Sequence, residues 1–138
     1  MTARPLTQAD YEALATFRYA LRRFLRFSEQ AARAAGLTPA QHQLLLAVKG
    51  TPEADGPTLS AVAERLQLKL HSCSELVDRA VERGLLERAS DPDDQRRCRL
   101  VLTPAGEEHL ARLSVAHRQE LRSFRREMID ALGALEEG

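Results

Sequence analysis

The feature that most constrains the fold of this 138-residue chain is a pair of short helical patterns near its middle. Thr58 can cap a helix through Leu66, in which Val62, Ala63 and Leu66 would face inward. A second helical pattern covers about 70–83, and its spacing predicts that Leu70, Cys73, Leu76, Val77, Ala80 and Val81 are buried. Because only Gln67-Leu68-Lys69 separates the two patterns, the segment has the outline of a helix-turn-helix.

A β-hairpin pattern follows these helices directly. Gly84 can end the second helix, and two runs suited to strands, 85–89 and 98–103, lie on either side of the charged loop 90–97. A helix-turn-helix with a hairpin behind it is a winged helix-turn-helix. Its second helix suits the major groove of DNA, and its hairpin loop can reach the adjacent minor groove.

Long amphipathic helices are predicted on both sides of this module. A cap at Thr7 and a helix end at Gly36 delimit the first, in which Arg18, Arg22 and Arg26 form a row whose ordinary interpretation is a solvated face. A further helix starts after Thr103-Pro104 and runs almost to the end of the sequence, with a break near Ser114 left open. The fold class is therefore mainly α with a small β wing, and helices this long usually pack on one another.

Charge and composition exclude several classes of protein. The 20 basic residues balance the 20 acidic ones, which argues against a general polyanion binder but leaves room for a local basic patch. No apolar run approaches the length of a membrane span, and the first residues lack the apolar core of a signal peptide. With two cysteines and no disulfide framework, we expect a cytoplasmic protein without membrane contact.

Two stretches give the module a family resemblance. The segment 76–86, Leu-Val-Asp-Arg-Ala-Val-Glu-Arg-Gly-Leu-Leu, and the wing 91–97, Asp-Pro-Asp-Asp-Gln-Arg-Arg, running into Leu-Thr-Pro-Ala-Gly at 102–106, resemble the MarR family of bacterial transcription regulators. The resemblance implies a homodimer on pseudo-palindromic double-stranded DNA, more often a repressor, with a small-molecule effector. It divides the chain into an N-terminal dimerisation helix (7–36), a DNA-binding domain (37–106) and C-terminal dimerisation helices (107–138).

The resemblance also places residues of the wing. Arg96 falls where the family has its minor-groove arginine, and Asp94 falls on the acid that orients it, with a salt bridge confined to the wing as the alternative. Arg97 and Arg99 would contact phosphates or remain solvated. Effector-binding residues are not identified, although His42 could border the family's ligand pocket.

The recognition helix departs from the family at one position. Its candidate DNA-contacting residues are Lys69, His71, Ser72, Ser74 and Arg79. Position 75, commonly basic in the family, is Glu75 here, and a carboxylate near phosphate is repulsive, although it can accept from a cytosine amino group. Glu75 and the neutral charge motivate an alternative function, a dimeric winged-helix protein-interaction module with little or no DNA binding.

Other chemistry finds little support in the sequence. We expect no enzyme, because phosphate loops, nucleophile motifs and zinc-type spacings of His and Cys are missing, and no cofactor or metal. Cys73 is expected in the core. Cys98 lies between Arg97 and Arg99, which leaves a redox role open as a minor alternative.

Overall fold

The computed structural model describes residues 4–136. The described part is mostly helical with one small antiparallel sheet, which confirms the predicted fold class. The elements, in chain order, are α1 (Gln8–Ala34), α2 (Pro39–Gly50), α3 (Leu59–Leu66), α4 (Leu70–Glu82), β1 (Leu86–Ser90), β2 (Cys98–Leu102) and α5 (Pro104–Glu136). Helix α5 continues through Ser114 without the break that the sequence left open.

The chain forms two compact units. One consists of the described residues up to Ala31 together with those from Ser114 onwards, and the other is Ala32–Leu113. The second unit contains α2, α3, α4 and the hairpin, and so the whole winged helix-turn-helix. No helix in residues 4–136 has the length and apolar character needed to cross a membrane.

Local capping explains where the short helices begin. The Thr38 side chain accepts a hydrogen bond from the Gln41 backbone N–H, and the Gln41 side chain accepts one from Thr38 N, which completes a capping box. The Thr58 hydroxyl likewise accepts from Ala61 N at the start of α3. These caps satisfy backbone N–H groups that have no partner within the helix, so the sequence itself fixes both starts.

The core of the Ala32–Leu113 unit lies between its helices and the hairpin. The fully buried side chains include Leu44 and Leu45 of α2, Val62 of α3, Cys73 and Val77 of α4, and Leu86 and Leu100 of the two strands. The helical spacing correctly predicted that Val62, Cys73 and Val77 are buried, but it was wrong for Leu70. Leu70 is 53% exposed because it is the first residue of α4, where the helix has not yet reached the core.

The end of the hairpin explains the Leu-Thr-Pro-Ala-Gly sequence. The Thr103 hydroxyl donates to the Gly84 carbonyl oxygen at 2.5 Å and accepts from Gly106 N at 3.0 Å, which ties α5 to the end of α4. A Cβ on Gly106 would collide with the backbone of Leu85. The wing motif is therefore partly a packing motif, because only a residue without a side chain allows this approach.

The other unit is built on contacts between α1 and α5. Phe24 of α1 stacks on Phe124 of α5, with ring centroids 5.0 Å apart. His117 of α5 is buried against Phe27, and one of its ring nitrogens lies 2.8 Å from the Ser28 hydroxyl oxygen. Side-chain packing between α1 and α5 thus joins the two long amphipathic helices that the sequence predicted.

Candidate nucleic-acid interface

The tip of the wing carries an arginine whose side chain is almost completely exposed. The Arg96 side chain is 93% exposed, and its Nε lies 3.4 Å from Oδ1 of Asp94. That same carboxylate oxygen accepts a hydrogen bond from the Arg96 backbone N–H at 3.0 Å. Asp94 therefore both stabilises the turn of the loop and orients the guanidinium. Both residues lie where the sequence placed them, and the guanidinium is left projecting from the loop.

Next to the tip is a cavity of about 390 Å³. It is lined by Thr58, Leu59 and Ser60 at the start of α3, by Leu70 at the start of α4, and by Arg96, Arg97 and Cys98 of the wing. Arg96 and Arg97 therefore line the same cavity as the first turn of α3, where backbone N–H groups and the helix dipole favour an anion. The shape and charge of this cavity suit a phosphate group.

Arg99 takes a different place from the other wing arginines. Its side chain is only 16% exposed, its Nε donates to Oδ2 of Asp91 at 3.1 Å, and its Nη1 donates to the Gly56 carbonyl oxygen at 3.1 Å. Glu53 lies 3.5 Å from the same Nη1. Arg99 thus joins the α2–α3 loop to the base of the wing, a placement that favours a structural role over the expected phosphate contact.

The partner of Arg99 is a buried carboxylate. The Asp91 side chain is 2% exposed, and its Oδ1 accepts the Asp93 backbone N–H at 2.9 Å. That hydrogen bond is the main reason why the pKa of Asp91 lies below its ordinary value. The Arg99 charge lowers the pKa further, whereas burial opposes the shift. Asp91 is therefore ionised at neutral pH and anchors the base of the wing.

Helix α4 presents a polar face beside the wing. Lys69, His71, Ser72 and Arg79 are exposed, and Ser74 is half-buried. Lys69 is the N-cap residue of α4, and its side chain makes no capping hydrogen bond. The structure brings these five predicted residues to the same compact unit as Arg96, with their side chains largely in solvent.

Both acidic side chains in the middle of this face have a cationic or protonatable partner. The Nε2 atom of His71 lies 3.2 Å from Oε1 of Glu75, one helical turn away. Asp78 pairs with Arg88 of β1. The negative charge of Asp78, and that of Glu75 when His71 is protonated, is therefore compensated within the protein.

Comparison with known proteins supports the resemblance to the MarR family. Residues 35–97 match the family model described as MarR family. The chain is 30% identical over 108 residues to a proposed transcriptional regulatory protein for the hcr operon of Thauera aromatica, over 78% of this chain and 63% of that protein. A solved MarR family transcription regulator is 28% identical, with a TM-score of 0.71, over 84% of this chain and 75% of the other.

The chain is similar to transcription regulators of the MarR family. A mutant MarR from E. coli, complexed with operator DNA, shares the fold with a TM-score of 0.69 at 20% identity, over 87% of this chain and 85% of that one. The chain spans 63% of the length of the Thauera protein, less than two thirds. The resemblance stated from the wing and the recognition-helix end is thereby confirmed.

Sequence reasoning missed one element that supports the site, the Asp91–Arg99 pair. Asp-Pro-Asp at 91–93 is readable as a turn in which Asp91 accepts a backbone N–H two residues on. The turn sequence does not reveal that the other carboxylate oxygen of Asp91 accepts a hydrogen bond from Arg99, eight residues later. Nor does it reveal that Arg99 also binds the α2–α3 loop at Gly56. Only the pairing of β1 with β2 brings those groups together.

Among the described residues, the cysteines and histidines take part in no cluster suited to metal binding. Cys73 is buried in the core as predicted, and burial raises the pKa of its thiol, which makes it a poor nucleophile. Cys98 is half-buried at the edge of the wing cavity. Within residues 4–136, no three His, Cys, Asp or Glu side chains come together as a metal site.

Proposed function

We propose that the chain is a DNA-binding transcription regulator that binds a pseudo-palindromic operator as a homodimer. The observation that carries this proposal is the placement of the projecting Arg96 and the polar face of α4 in one compact unit. A helix in the major groove with a wing arginine in the adjacent minor groove uses both features at once. The operator complex of the E. coli MarR mutant supports it by fold.

In the proposed interface, some residues contact the DNA bases and others contact the DNA phosphates. His71, Ser72 and Arg79 lie on the exposed face of α4, where a helix in the major groove meets base edges and phosphates. Lys69, Ser74 and Arg97 are assigned to phosphates, and Arg96, oriented by Asp94, to the minor groove. Arg99 is left out of the interface, because its guanidinium is engaged with Asp91 and Gly56.

The homodimer is supported by apolar side chains that the α1–α5 unit leaves in solvent. They are Leu6, Tyr11, Leu14, Tyr19 and Leu25 on the N-terminal side and Val115, Leu121, Ile129 and Leu132 on α5. Exposed apolar surface on this scale typically marks an interaction site. A second copy of the chain is the partner that the resemblance implies, and a two-fold protein matches a two-fold operator.

We further propose that the protein is a repressor whose DNA affinity responds to a small-molecule effector in the cytoplasm. An effector that binds one arrangement of the dimer more tightly would change the spacing of the two α4 helices. Operator affinity measured with and without a candidate effector tests this step, and equal affinities would exclude that compound as the effector.

The interaction-module alternative is weakened by the ion pairs on α4. Two features motivated it, Glu75 on the recognition helix and the neutral net charge, and the structure places His71 beside Glu75 and Arg88 beside Asp78 on that helix. A salt titration separates the two functions. We expect the full chain to bind DNA from upstream of its own gene with an affinity that falls steeply as salt rises. Absence of binding at low salt would favour the alternative.

A further inference from the structure

Glu75 occupies the middle of the exposed face of α4. The buried Val77 lies two residues further along and therefore on the opposite side of the helix. His71 lies one turn before Glu75 and Arg79 one turn after it, and all three are exposed. A side chain in the middle of such a face points to the floor of a groove, whereas residues at its edges point to the phosphates.

His71 fixes the direction of this carboxylate. The ring atom Nε2 lies 3.2 Å from Glu75 Oε1, within hydrogen-bond distance. Oε2 of Glu75 has no partner among the described residues. The contact with His71 therefore engages one carboxylate oxygen and leaves Oε2 able to accept a hydrogen bond from another molecule.

Asp78 does not compete for the same role. Its carboxylate pairs with Arg88, which connects α4 to strand β1. Asp78 thus helps to hold the recognition helix against the wing. Of the two central acids on this face, Asp78 is held by a guanidinium from another element, whereas the recorded partner of Glu75 lies on α4 itself.

The chemistry of the groove identifies what such an oxygen can bind. A carboxylate only accepts hydrogen bonds, and in the major groove cytosine offers the N4 amino donor without an acceptor beside it. Guanine presents O6 and N7 and thymine presents O4, all of which repel an anion, and adenine places the N7 acceptor next to its amino group. Phosphates repel a carboxylate as well.

We propose that Glu75 is a specificity-determining residue that selects cytosine at one position of each half-site, and that His71 is its positioning residue. This inference rests on the proposed function, since it requires α4 to lie in the major groove. The carboxylate contributes favourable binding at cytosine and a penalty at the other three bases, so it raises specificity more than affinity.

The test is selection of binding sites from a random duplex library by the full-length wild type and variants. Glu75→Ala should lose the cytosine preference at one position per half-site, with the selection at other positions unchanged. Glu75→Gln should shift that position towards adenine, because an amide matches its donor–acceptor pair. In direct titrations the wild type should discriminate against the wrong base there by about tenfold or more, and Glu75→Ala should not.

Further variants distinguish a direct contact between Glu75 and a base from an effect of net charge or of altered structure. Glu82→Gln makes the same charge change at the exposed C-terminal end of α4 and should keep the cytosine preference. His71→Gln retains a donor towards Glu75 and should preserve the preference better than His71→Ala. The variants are compared only after circular dichroism shows wild-type folding.

The outcomes are distinguishable. If the wild type selects a defined palindrome and Glu75→Ala selects the same bases at every position, the Glu75 inference is overturned while the proposed function stands. If the wild type selects no DNA at low salt, the proposed function itself fails. A lost preference in Glu82→Gln as well would show that charge alone, and not base contact, sets the selection, and would also overturn the inference.

Discussion

The Nε atom of Arg99 donates a 3.1 Å hydrogen bond to Oδ2 of Asp91 across the base of the wing. Asp91 lies just after β1 and Arg99 within β2, so the bond closes the hairpin loop at its root. Through the Gly56 carbonyl oxygen, Arg99 also holds the α2–α3 loop. The exposed tip with Arg96 is therefore carried on a root that is tied to the rest of the unit.

The Asp91 carboxylate should make stability depend on pH in the acid range. Because its pKa is lower in the folded protein than in the unfolded chain, its stabilisation is complete above the unfolded value and is lost as pH falls through the folded one. Asp91→Asn should thus be less stable than the wild type at neutral pH, and the gap should narrow on acidification. Urea unfolding across that range measures it, and a gap that does not depend on pH would contradict the assignment.

Arg96→Ala should weaken operator binding by about 1–3 kcal/mol, by analogy with a base-contacting arginine. The side chain is 93% exposed, so the variant should unfold like the wild type. Arg97→Ala is the matched control. We expect a smaller loss that is uniform across DNA sequences, with a lower salt slope, as for a phosphate contact. Fluorescence anisotropy titrations at several salt concentrations separate the two, and an unchanged affinity for Arg96→Ala would remove the wing from the interface.

Gly106→Ala should destabilise the protein by about 1–3 kcal/mol, because its Cβ would collide with the backbone of Leu85. Gly133 offers the control on the same helix, since a Cβ there meets no atom within 4 Å. Gly133→Ala should stabilise α5 by about 0.5–1 kcal/mol through backbone entropy. Urea denaturation of both variants checks the prediction, and equal midpoints would show that the close approach to Leu85 carries no cost.

Leu25→Glu and Leu121→Glu should each raise the dissociation constant of the proposed homodimer by about tenfold or more, since a charge would be buried in an apolar contact. Both leucines are exposed in the single chain, so folding should be retained. Gln119→Glu adds the same charge at an exposed position of α5 on another side of the helix from Leu121. Sedimentation velocity over a dilution series compares the three, and a wild type that is monomeric throughout would refute the dimer.

The sequence by itself determined the elements of the DNA-binding unit and their order. These elements depend on signals that act over a few positions and can therefore be recognised in the sequence. They are caps such as Thr38 and Thr58, the turn between α3 and α4, and the spacing of the buried residues. The position of Arg96 at the wing tip could be predicted for the same reason, because the loop is defined by the strand patterns on either side of it. The helical spacing wrongly predicted that Leu70 is buried, because spacing alone does not show at which residue a helix first contacts the core.

Only the tertiary structure decided which charged residues are free to meet DNA. Arg97 and Arg99 are two residues apart and look alike in the sequence, yet one borders the open cavity and the other is held by Asp91 and Gly56. Asp78 and Glu75 differ in the same way, because strand β1 brings Arg88 to one of them and leaves the other with His71. The physical reason is that an ion pair depends on distance in space, which the pairing of strands and the packing of helices set, and not on separation along the chain.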